Sequence, residues 1–314
     1  MSNTFALGID IGGTNTAFGL CDSEGNIVFE ESVSTKECKS AEDLVKLIHQ
    51  RIAQSDFLDK IIGIGIGAPN GNYFNGTIEF APNLDWKGII PLADMFAKQF
   101  KTNTILTNDA NAAAIGEHIY GNAQDLDDFV TITLGTGLGS GVIVRDQMIY
   151  GHDGFAGEYG HIRVVPNGRS CGCGRKGCLE TYVSATGVVR SITELDSKHK
   201  YFSKLNEISD PRADDVFRLA EEGDEFAMEI IDFTAKVLGN ALADFACFSS
   251  PKAYVLFGGI AQSGKPFADK VKEYLEESIL NIYKDKIEIR ISSLHNKNAA
   301  VLGASSLVWK ELNQ

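Results

Sequence analysis

The sequence has no run of about 18 consecutive apolar residues, the length that a membrane-spanning helix needs. Its first residues, Met1–Thr4, contain no basic side chain and lead directly into a short apolar run, unlike a secretory signal peptide. These two absences predict a protein that neither crosses a membrane nor is exported.

Basic residues are also few. The chain has 29 Lys and Arg against 42 Asp and Glu, which gives a formal net charge of −13. A charge of this sign repels polyanions, and the basic residues are spread along the chain without forming a patch. We therefore expect no nucleic-acid partner.

Cysteine is too sparse for a disulfide framework, because six cysteines are spread over 314 residues. Cys21, Cys38 and Cys247 stand alone, and we expect them to be reduced and partly buried. Reduced thiols together with the absence of an export signal predict a cytoplasmic protein.

The other three cysteines form a cluster. Cys171, Cys173 and Cys178 are separated by glycines, and His161 precedes them. One His and three Cys can close a tetrahedral shell around Zn²⁺ and leave no coordination position open, so the metal would build structure and take no part in the reaction. A disulfide in an exported protein, or chance clustering of buried thiols, is the alternative.

A chain of 314 residues that is 44% hydrophobic can form two lobes, since single cores stop growing at roughly 250–300 residues. No low-complexity linker marks the boundary. We place it near Glu117, with a first α/β lobe over residues 1–117 and a larger second lobe over residues 118–298. The last predicted helix, residues 299–314, is expected to return to the first lobe.

Two segments share a plan of strand, glycine turn and returning strand. The first is Asp10-Ile11-Gly12-Gly13-Thr14, and the second is Leu134-Gly135-Thr136-Gly137-Leu138-Gly139, followed by a strand over 142–145. Such turns expose backbone N–H groups to phosphate oxygens, and Thr14 and Thr136 add hydroxyls. Each could be a plain β-turn, but the matched pair predicts a duplicated architecture.

Asn108 and Asp109 follow the predicted strand Thr104–Thr107 and precede an alanine-rich helix. The carboxyl end of a strand beside a helix N-terminus is where open α/β sheets bind ligands. Asn and Asp are also the favoured residues at a helix N-cap, so capping alone is the alternative.

With these landmarks, the chain resembles the ROK family (repressor, open reading frame, kinase), and its bacterial glucokinases most closely. The matching motifs are Asp10–Thr14, Asn108-Asp109-Ala110-Asn111-Ala112, Leu134–Gly139, Gly157-Glu158-Tyr159-Gly160-His161, the block Cys171–Glu180, and Gly258-Gly259-Ile260. The Gly157–His161 and Cys171–Glu180 motifs are the specific ones. Asn70 departs from the pattern, because the family usually has glycine after Pro69.

The resemblance implies the actin/hexokinase-like ATPase fold, an α/β fold of two duplicated ribonuclease H-like lobes with a cleft. It implies transfer of a phosphoryl group from ATP to O6 of a hexose, with glucose as the expected substrate. ATP, Mg²⁺ and a structural Zn²⁺ are the implied cofactors. Family members are commonly homodimers or homotetramers.

The resemblance also implies a role for individual residues. Asp109 would be the general base, and Asp10 would help to hold a water-coordinated Mg²⁺. The residues implied in ATP and phosphate binding are Asp10, Gly12, Gly13, Thr14, Thr136, Gly137, Gly258 and Gly259. The residues implied in sugar binding are Asn70, Asn83, Asn108, Asp109, Glu158, His161 and Glu180. From residue type alone, Glu158 and Glu180 would be exposed surface charges.

Three other functions remain open. One is a kinase for another sugar, such as N-acetylglucosamine, N-acetylmannosamine, allose or fructose. Another is a sugar-responsive transcriptional repressor, although those members carry an N-terminal helix-turn-helix and the phosphate strand here begins at residue 5. The third is a catalytically inactive sugar-binding protein.

Overall fold

A computed structural model describes residues 4–294 and 299–312. The residues before Thr4, residues 295–298 at the end of the second predicted lobe, and residues 313–314 of the last predicted helix lie outside the described residues. The strands are β1 Phe5–Ile11, β2 Asn15–Cys21, β3 Ile27–Ser34, β4 Ile61–Gly67, β5 Gly71–Asn72, β6 Thr77–Glu79, β7 Ile89–Ile90, β8 Thr104–Thr107, β9 Phe129–Leu134, β10 Leu138–Val144, β11 Gln147–Met148, β12 Ala253–Phe257 and β13 Glu288–Ile291. The α-helices are α1 Ala41–Ala53, α2 Leu92–Phe100, α3 Asp109–Tyr120, α4 Glu180–Val183, α5 Ala185–Glu194, α6 Ala213–Glu221, α7 Glu225–Ser249, α8 Lys265–Ser278 and α9 Ala299–Leu312.

The chain divides into two compact units. The first unit comprises Met1–Asp125, Met148–Gly157 and Ser293–Gln314, and the second comprises Leu126–Gln147 and Glu158–Ser292. The lobes expected from the sequence have other ranges, since residues 118–125 and 148–157 fall in the first unit. The boundary near Glu117 stays a prediction.

The first unit is built on a sheet with the strand order β3-β2-β1-β4-β8. Strand β1 pairs with β2 in antiparallel register and with β4 in parallel register. Helix α9 lies directly on this sheet, because a Cβ added at Gly8 would come within 2.2 Å of the Val301 carbonyl oxygen and one at Gly65 within 1.9 Å of the Ala304 carbonyl oxygen. Glycine therefore permits a backbone-to-backbone approach that any side chain would prevent.

The second unit repeats this order in a sheet of β11-β10-β9-β12-β13. Strand β9 pairs with β10 in antiparallel register and with β12 in parallel register, as β1 does with β2 and β4. The prediction of a second strand–turn–strand unit is confirmed, but β10 begins at Leu138 and the expected start at Val142 was wrong. The turn after Leu134 needs only three residues, so Gly139 and Gly141 pair within the sheet.

Local sequence explains where the helices begin. Ser40 caps α1: its hydroxyl accepts the Asp43 N–H at 3.2 Å, and the Asp43 carboxylate accepts the Ser40 N–H at 3.1 Å. Asp224 caps α7 by accepting the Ala227 N–H at 3.0 Å. Each unit has its own buried apolar cluster, as expected for duplicated α/β lobes. Within the described residues, no helix is long and apolar enough to cross a membrane.

Candidate active site

In the first unit, Asn108 and Asp109 lie where β8 gives way to α3. The Asn108 side chain is the N-cap and accepts the Asn111 N–H at 2.7 Å, so the capping role considered from the sequence is real. Asp109 is the first residue of the helix, and its Oδ1 accepts the Ala110 N–H at 2.9 Å. Desolvation by the surrounding protein raises the pKa of the Asp109 carboxyl, although part of the residue stays exposed, and its hydrogen bonds to backbone N–H groups oppose this effect only in part.

A second carboxylate, Asp10, lies beside it near the carboxyl end of β1. Gly67 of β4 pairs with Asp10, and a Cβ added there would lie 3.7 Å from Asp10 Oδ1 and 3.5 Å from Asp109 Cα. Burial raises the pKa of Asp10 to about 7, and the charge of Asp109 adds to the shift. Two neighbouring carboxylates repel each other when both are charged. A divalent cation bound next to them would offset this repulsion.

The first glycine turn lies at the end of the same strand. The Gly12 N–H donates to the Asn15 carbonyl at 3.0 Å, which closes the turn, and Thr14 is exposed. Asn83 packs against the turn, since a Cβ added at Gly13 would come within 2.5 Å of the Asn83 carbonyl oxygen. The fold thus brings a predicted sugar contact next to a predicted phosphate contact.

The backbone conformation at Asn70 explains why asparagine can stand where the family usually has glycine. Its φ of 51° is left-handed, a conformation that glycine adopts freely and asparagine tolerates better than most residues. Its Nδ2 donates to the Glu79 carbonyl at 2.9 Å and lies 3.4 Å from the Phe80 carbonyl. The structure therefore gives this amide a role in fixing the backbone that leads to Asn83, and sugar contact by Asn70 stays a prediction.

In the second unit, the four predicted zinc ligands form one cluster. The ligand atoms of His161, Cys171, Cys173 and Cys178 all lie within 4.8 Å of one another. The Cys173 and Cys178 sulfurs are 3.7 Å apart, and His161 Nδ1 lies 3.7 Å from Cys171 Sγ. Two thiolates at about 2.3 Å from a tetrahedral zinc are about 3.8 Å apart, so these distances fit the metal. The cysteines are free, and the alternative of a disulfide has no support in the geometry.

His161 presents its two ring nitrogens to different partners. It ends a short 3₁₀ helix, Tyr159–His161, in which Nδ1 faces the cysteine cluster and Nε2 lies 3.9 Å from Glu158 Oε2. The Tyr159 N–H donates to the Ser140 hydroxyl at 3.2 Å, and this bond fastens the segment to β10. A metal on Nδ1 would fix the tautomer and direct the other nitrogen to the side where Glu158 lies.

Glu180 begins α4 and lies between the metal cluster and the second glycine turn. Its Oε2 accepts the Leu138 N–H at 3.0 Å, and its Oε1 lies 3.6 Å from Cys171 Sγ. It is half-buried, which differs from the freely exposed charge that its residue type suggests. No sequence pattern indicates the contact between Glu180 and Leu138.

The remaining phosphate candidates of this unit are near the same sheet edge. The Thr136 carbonyl accepts the Thr186 hydroxyl at 3.0 Å. Gly258, with a φ of 100°, follows β12, and a Cβ added there would lie 2.7 Å from the Leu134 carbonyl oxygen. A Cβ at Gly259 would meet no atom within 4 Å, so the backbone there borders open space, as expected beside a nucleotide.

Arg169 is a residue of the metal loop that sequence reasoning missed. Its guanidinium is buried and donates to Glu194 Oε2 at 2.6 Å, to the Thr181 carbonyl at 2.8 Å and to the Gly187 carbonyl at 3.0 Å. It also stacks over the Tyr182 ring, with 4.6 Å between the guanidinium carbon and the ring centroid. The arginine thereby ties the cysteine loop to α4 and α5. No sequence pattern distinguishes Arg169 from Arg175 of the same loop.

The predicted site residues therefore group by unit. The first unit holds Asp10, Gly12, Gly13, Thr14, Asn70, Asn83, Asn108 and Asp109, and the second holds Thr136, Gly137, Glu158, His161, Cys171, Cys173, Cys178, Glu180, Gly258 and Gly259. In the first unit, Asp10 lies near the end of β1 and Asn108 follows β8; in the second, Thr136 follows β9 and Gly258 follows β12. These are carboxyl ends of strands, where ligands of α/β proteins bind.

Comparison with known proteins decides the family. The model of the ROK family matches residues 6–311. The chain belongs to the ROK family. A glucokinase of Halalkalibacterium halodurans is 36% identical over all of this chain and 97% of its own length. A ROK family glucokinase of Streptomyces griseus, solved in complex with glucose and AMPPNP, is 33% identical with a TM-score of 0.79, and the match covers 96% of this chain and 98% of that chain.

Family members of another class are similar to the chain as well. A xylose repressor of Caldicellulosiruptor bescii is 29% identical over 98% of this chain and 78% of its own length. The predicted fold class, the actin/hexokinase-like ATPase fold with duplicated α/β lobes, is confirmed by the two matching sheets and by the structural similarity to the Streptomyces enzyme.

Proposed function

We propose that this chain is an ATP-dependent glucokinase that transfers the γ-phosphoryl group of ATP to O6 of glucose. The observation that carries the proposal is the position of Asp109 beside Asp10 at the start of α3, in a chain with 36% identity to a glucokinase over its whole length. The glucose and AMPPNP bound to the Streptomyces relative support the choice of both substrates.

In the proposed reaction, Asp109 accepts the proton of the attacking sugar hydroxyl. The oxygen then attacks the γ-phosphorus as ADP leaves. The raised pKa of the Asp109 carboxyl suits the role of base, because a base works best when its pKa approaches the working pH. The N–H bond from Ala110 fixes the carboxylate at the start of α3. Positioning and charge neutralisation supply most of the catalysis of phosphoryl transfer, and little covalent chemistry is required of the protein.

Asp10 is the proposed carboxylate for Mg²⁺, acting through water, and the mutual repulsion of Asp10 and Asp109 fits a cation there. When bound with the nucleotide, the ion held through Asp10 would offset the negative charge of the phosphates. The N–H groups and hydroxyls near Gly12, Gly13, Thr14, Thr136 and Gly137 are proposed to contact phosphates. Gly258 and Gly259 would leave room for the adenosine.

On the sugar side, we assign the hydroxyls near C1 to C3 to Glu158, His161 and Glu180. Asn83 is assigned to the C3 and C4 side, and Asn108 would orient the reacting end of the sugar. An epimer of glucose places one hydroxyl differently and would leave a carboxylate oxygen of the site without its partner. An unpaired polar group costs binding energy, so we expect the site to reject the epimer. Zn²⁺ is proposed as a structural ion held by His161, Cys171, Cys173 and Cys178, with no role in the chemical step.

We further propose a cytoplasmic enzyme of glycolysis that acts as a homodimer or homotetramer. The net charge of −13 supports the absence of a nucleic-acid partner.

A sugar panel tests the proposed activity. The purified protein is assayed with ATP and Mg²⁺ on glucose, N-acetylglucosamine, N-acetylmannosamine, allose and fructose, and the products are identified by mass spectrometry and NMR. We expect the highest kcat/KM with glucose and a phosphate on O6. A higher kcat/KM with any other sugar would overturn the assignment of glucose, and no phosphorylation of any sugar would overturn the kinase.

A further inference from the structure

The Glu180 side chain contacts both the residue that follows the second glycine turn and the metal cluster. One carboxylate oxygen, Oε2, accepts the Leu138 N–H at 3.0 Å, and Leu138 is the first residue after the glycine turn at 135–137. The other, Oε1, faces Cys171 of the metal cluster at 3.6 Å. A single side chain therefore joins the proposed phosphate turn to the proposed sugar and metal site.

The two oxygens are not equivalent when the metal is bound. The Leu138 N–H donates to Oε2 at 3.0 Å, whereas Oε1 lies 3.6 Å from the Cys171 sulfur, so Oε1 is the oxygen left to accept a sugar hydroxyl. The Leu138 N–H belongs to the backbone of β10, so it would still donate to Oε2 when the metal is bound. The position of the glycine turn then sets the direction of the oxygen that meets the sugar.

We infer that Glu180 couples nucleotide binding to sugar binding, through the hydrogen bond from Leu138 to its carboxylate. A nucleotide phosphate that orders the turn would hold Glu180 in its sugar-binding orientation and so tighten sugar binding. Linkage then requires that sugar tightens nucleotide binding by the same factor. This inference rests on the proposed function and adds a positioning role for the turn in sugar affinity.

The turn contains two glycines, Gly135 and Gly137, whose alanine variants distinguish a displaced Glu180 side chain from weakened phosphate binding. A Cβ at Gly137 would lie 2.5 Å from Glu180 Oε2, whereas a Cβ at Gly135 would meet no atom within 4 Å. The atom displaced by Gly137→Ala is the end of a flexible side chain, so the variant should fold while Glu180 moves. Neither glycine has a left-handed φ, so alanine is compatible with the backbone at both positions.

The experiment measures the Kd of glucose by titration calorimetry, with and without saturating AMPPNP and Mg²⁺, in the zinc-loaded protein. For the wild type we expect the nucleotide to lower the glucose Kd about fivefold or more. Gly137→Ala should raise the glucose Kd about tenfold without nucleotide and reduce the nucleotide effect to less than twofold. Gly135→Ala should keep the wild-type glucose Kd without nucleotide, whatever it does to nucleotide affinity.

The inference is overturned if Gly137→Ala binds glucose as the wild type does, if Gly135→Ala raises the Kd equally, or if nucleotide leaves the wild-type Kd unchanged. Glu180→Asp is a second variant that shortens the side chain without touching the turn. It should also lower the nucleotide effect, and an undiminished effect would count against the coupling. These outcomes concern Kd ratios, whereas failure of the glucokinase proposal would appear as no phosphorylation of glucose by the wild type.

Discussion

Asp10 near the carboxyl end of β1 and Asp109 just after β8 lie on either side of Gly67, which ends β4, the strand between β1 and β8 in the first sheet. They are far apart in the sequence, and the parallel pairing of β4 with both β1 and β8 brings them together. Desolvation by the surrounding protein raises the pKa of both carboxyls, and the charge of Asp109 raises that of Asp10 further. This pair is costly for the unliganded protein and suited to phosphoryl transfer.

The cost of the pair predicts a pH dependence of stability. The pKa of Asp10 is about 7 when folded against 3.8 for an ordinary Asp, so the folded state binds more protons than the unfolded state between these values. The free energy of unfolding therefore falls as pH rises through this range. Without magnesium or nucleotide, Asp10→Asn should be more stable than wild type by about 1–4 kcal/mol at pH 8.

Urea denaturation at several pH values between 4 and 8 checks this prediction. The advantage of Asp10→Asn should shrink toward pH 4, because wild-type Asp10 is then protonated. The exposed Asp59→Asn is the control, with a change of less than about 0.5 kcal/mol expected at each pH. A variant no more stable than wild type at pH 8 would show that Asp10 is not strained by its surroundings.

The second prediction concerns catalysis by Asp109. Asparagine at position 109 keeps an oxygen that can accept the Ala110 N–H, so the start of α3 should persist while the base is lost. We expect Asp109→Asn to lower kcat by about 10²–10⁴-fold with little change in the KM of glucose. Steady-state kinetics give both values, and Asp94→Asn, an exposed acid in the first turn of α2, serves as control. A kcat within tenfold of wild type would remove Asp109 as the base.

Much of the fold could be predicted because its signals are local. The two segments of strand, glycine turn and returning strand predicted the antiparallel pairs β1–β2 and β9–β10. The start of β10 was misplaced, since a run of Gly, Ser and Gly suggests a turn although its backbone pairs with β9. Pairing with a neighbouring strand is a tertiary effect that overrides this local preference.

The candidate site shows the same division between local and distant information. Zinc ligands have a distinctive residue type and spacing, so the cluster of His161 and three cysteines could be predicted before the structure. The contacts of Arg169 with Glu194 and of Glu180 with Leu138 join segments 25 and 42 residues apart, and no periodicity marks them. Arginine and glutamate are usually surface residues, so their residue type predicts exposure and only the structure shows that these contacts are partly buried.

The third prediction tests the metal cluster. Cys173→Ala removes an exposed ligand, and incomplete coordination should release zinc and loosen both His161 and the Cys171–Glu180 loop. We expect a lower melting temperature, loss of bound zinc and a glucose Kd about 10–100-fold higher than in the wild type. Elemental analysis, thermal denaturation and calorimetry measure the three quantities. Cys247→Ala, at the other exposed cysteine, should change none of them. A folded, zinc-free Cys173→Ala with unchanged glucose affinity would separate the metal from the sugar site.

The fourth prediction compares two arginines that share one partner. Arg169 and Arg190 both contact the Glu194 carboxylate, at 2.6 and 3.3 Å, but the side chain of Arg169 is 8% exposed and that of Arg190 is 35% exposed. Arg169→Met would remove a buried donor from the Thr181 and Gly187 carbonyls, while Glu194 keeps Arg190, so we expect a loss of about 1–3 kcal/mol in the free energy of unfolding. Arg190→Met should cost less than about 1 kcal/mol, since water can replace its exposed ion pair and its bond to the exposed Ser170 carbonyl. Urea denaturation of both variants decides the matter, and equal losses would mean that Arg169 does not anchor the metal loop to α4 and α5.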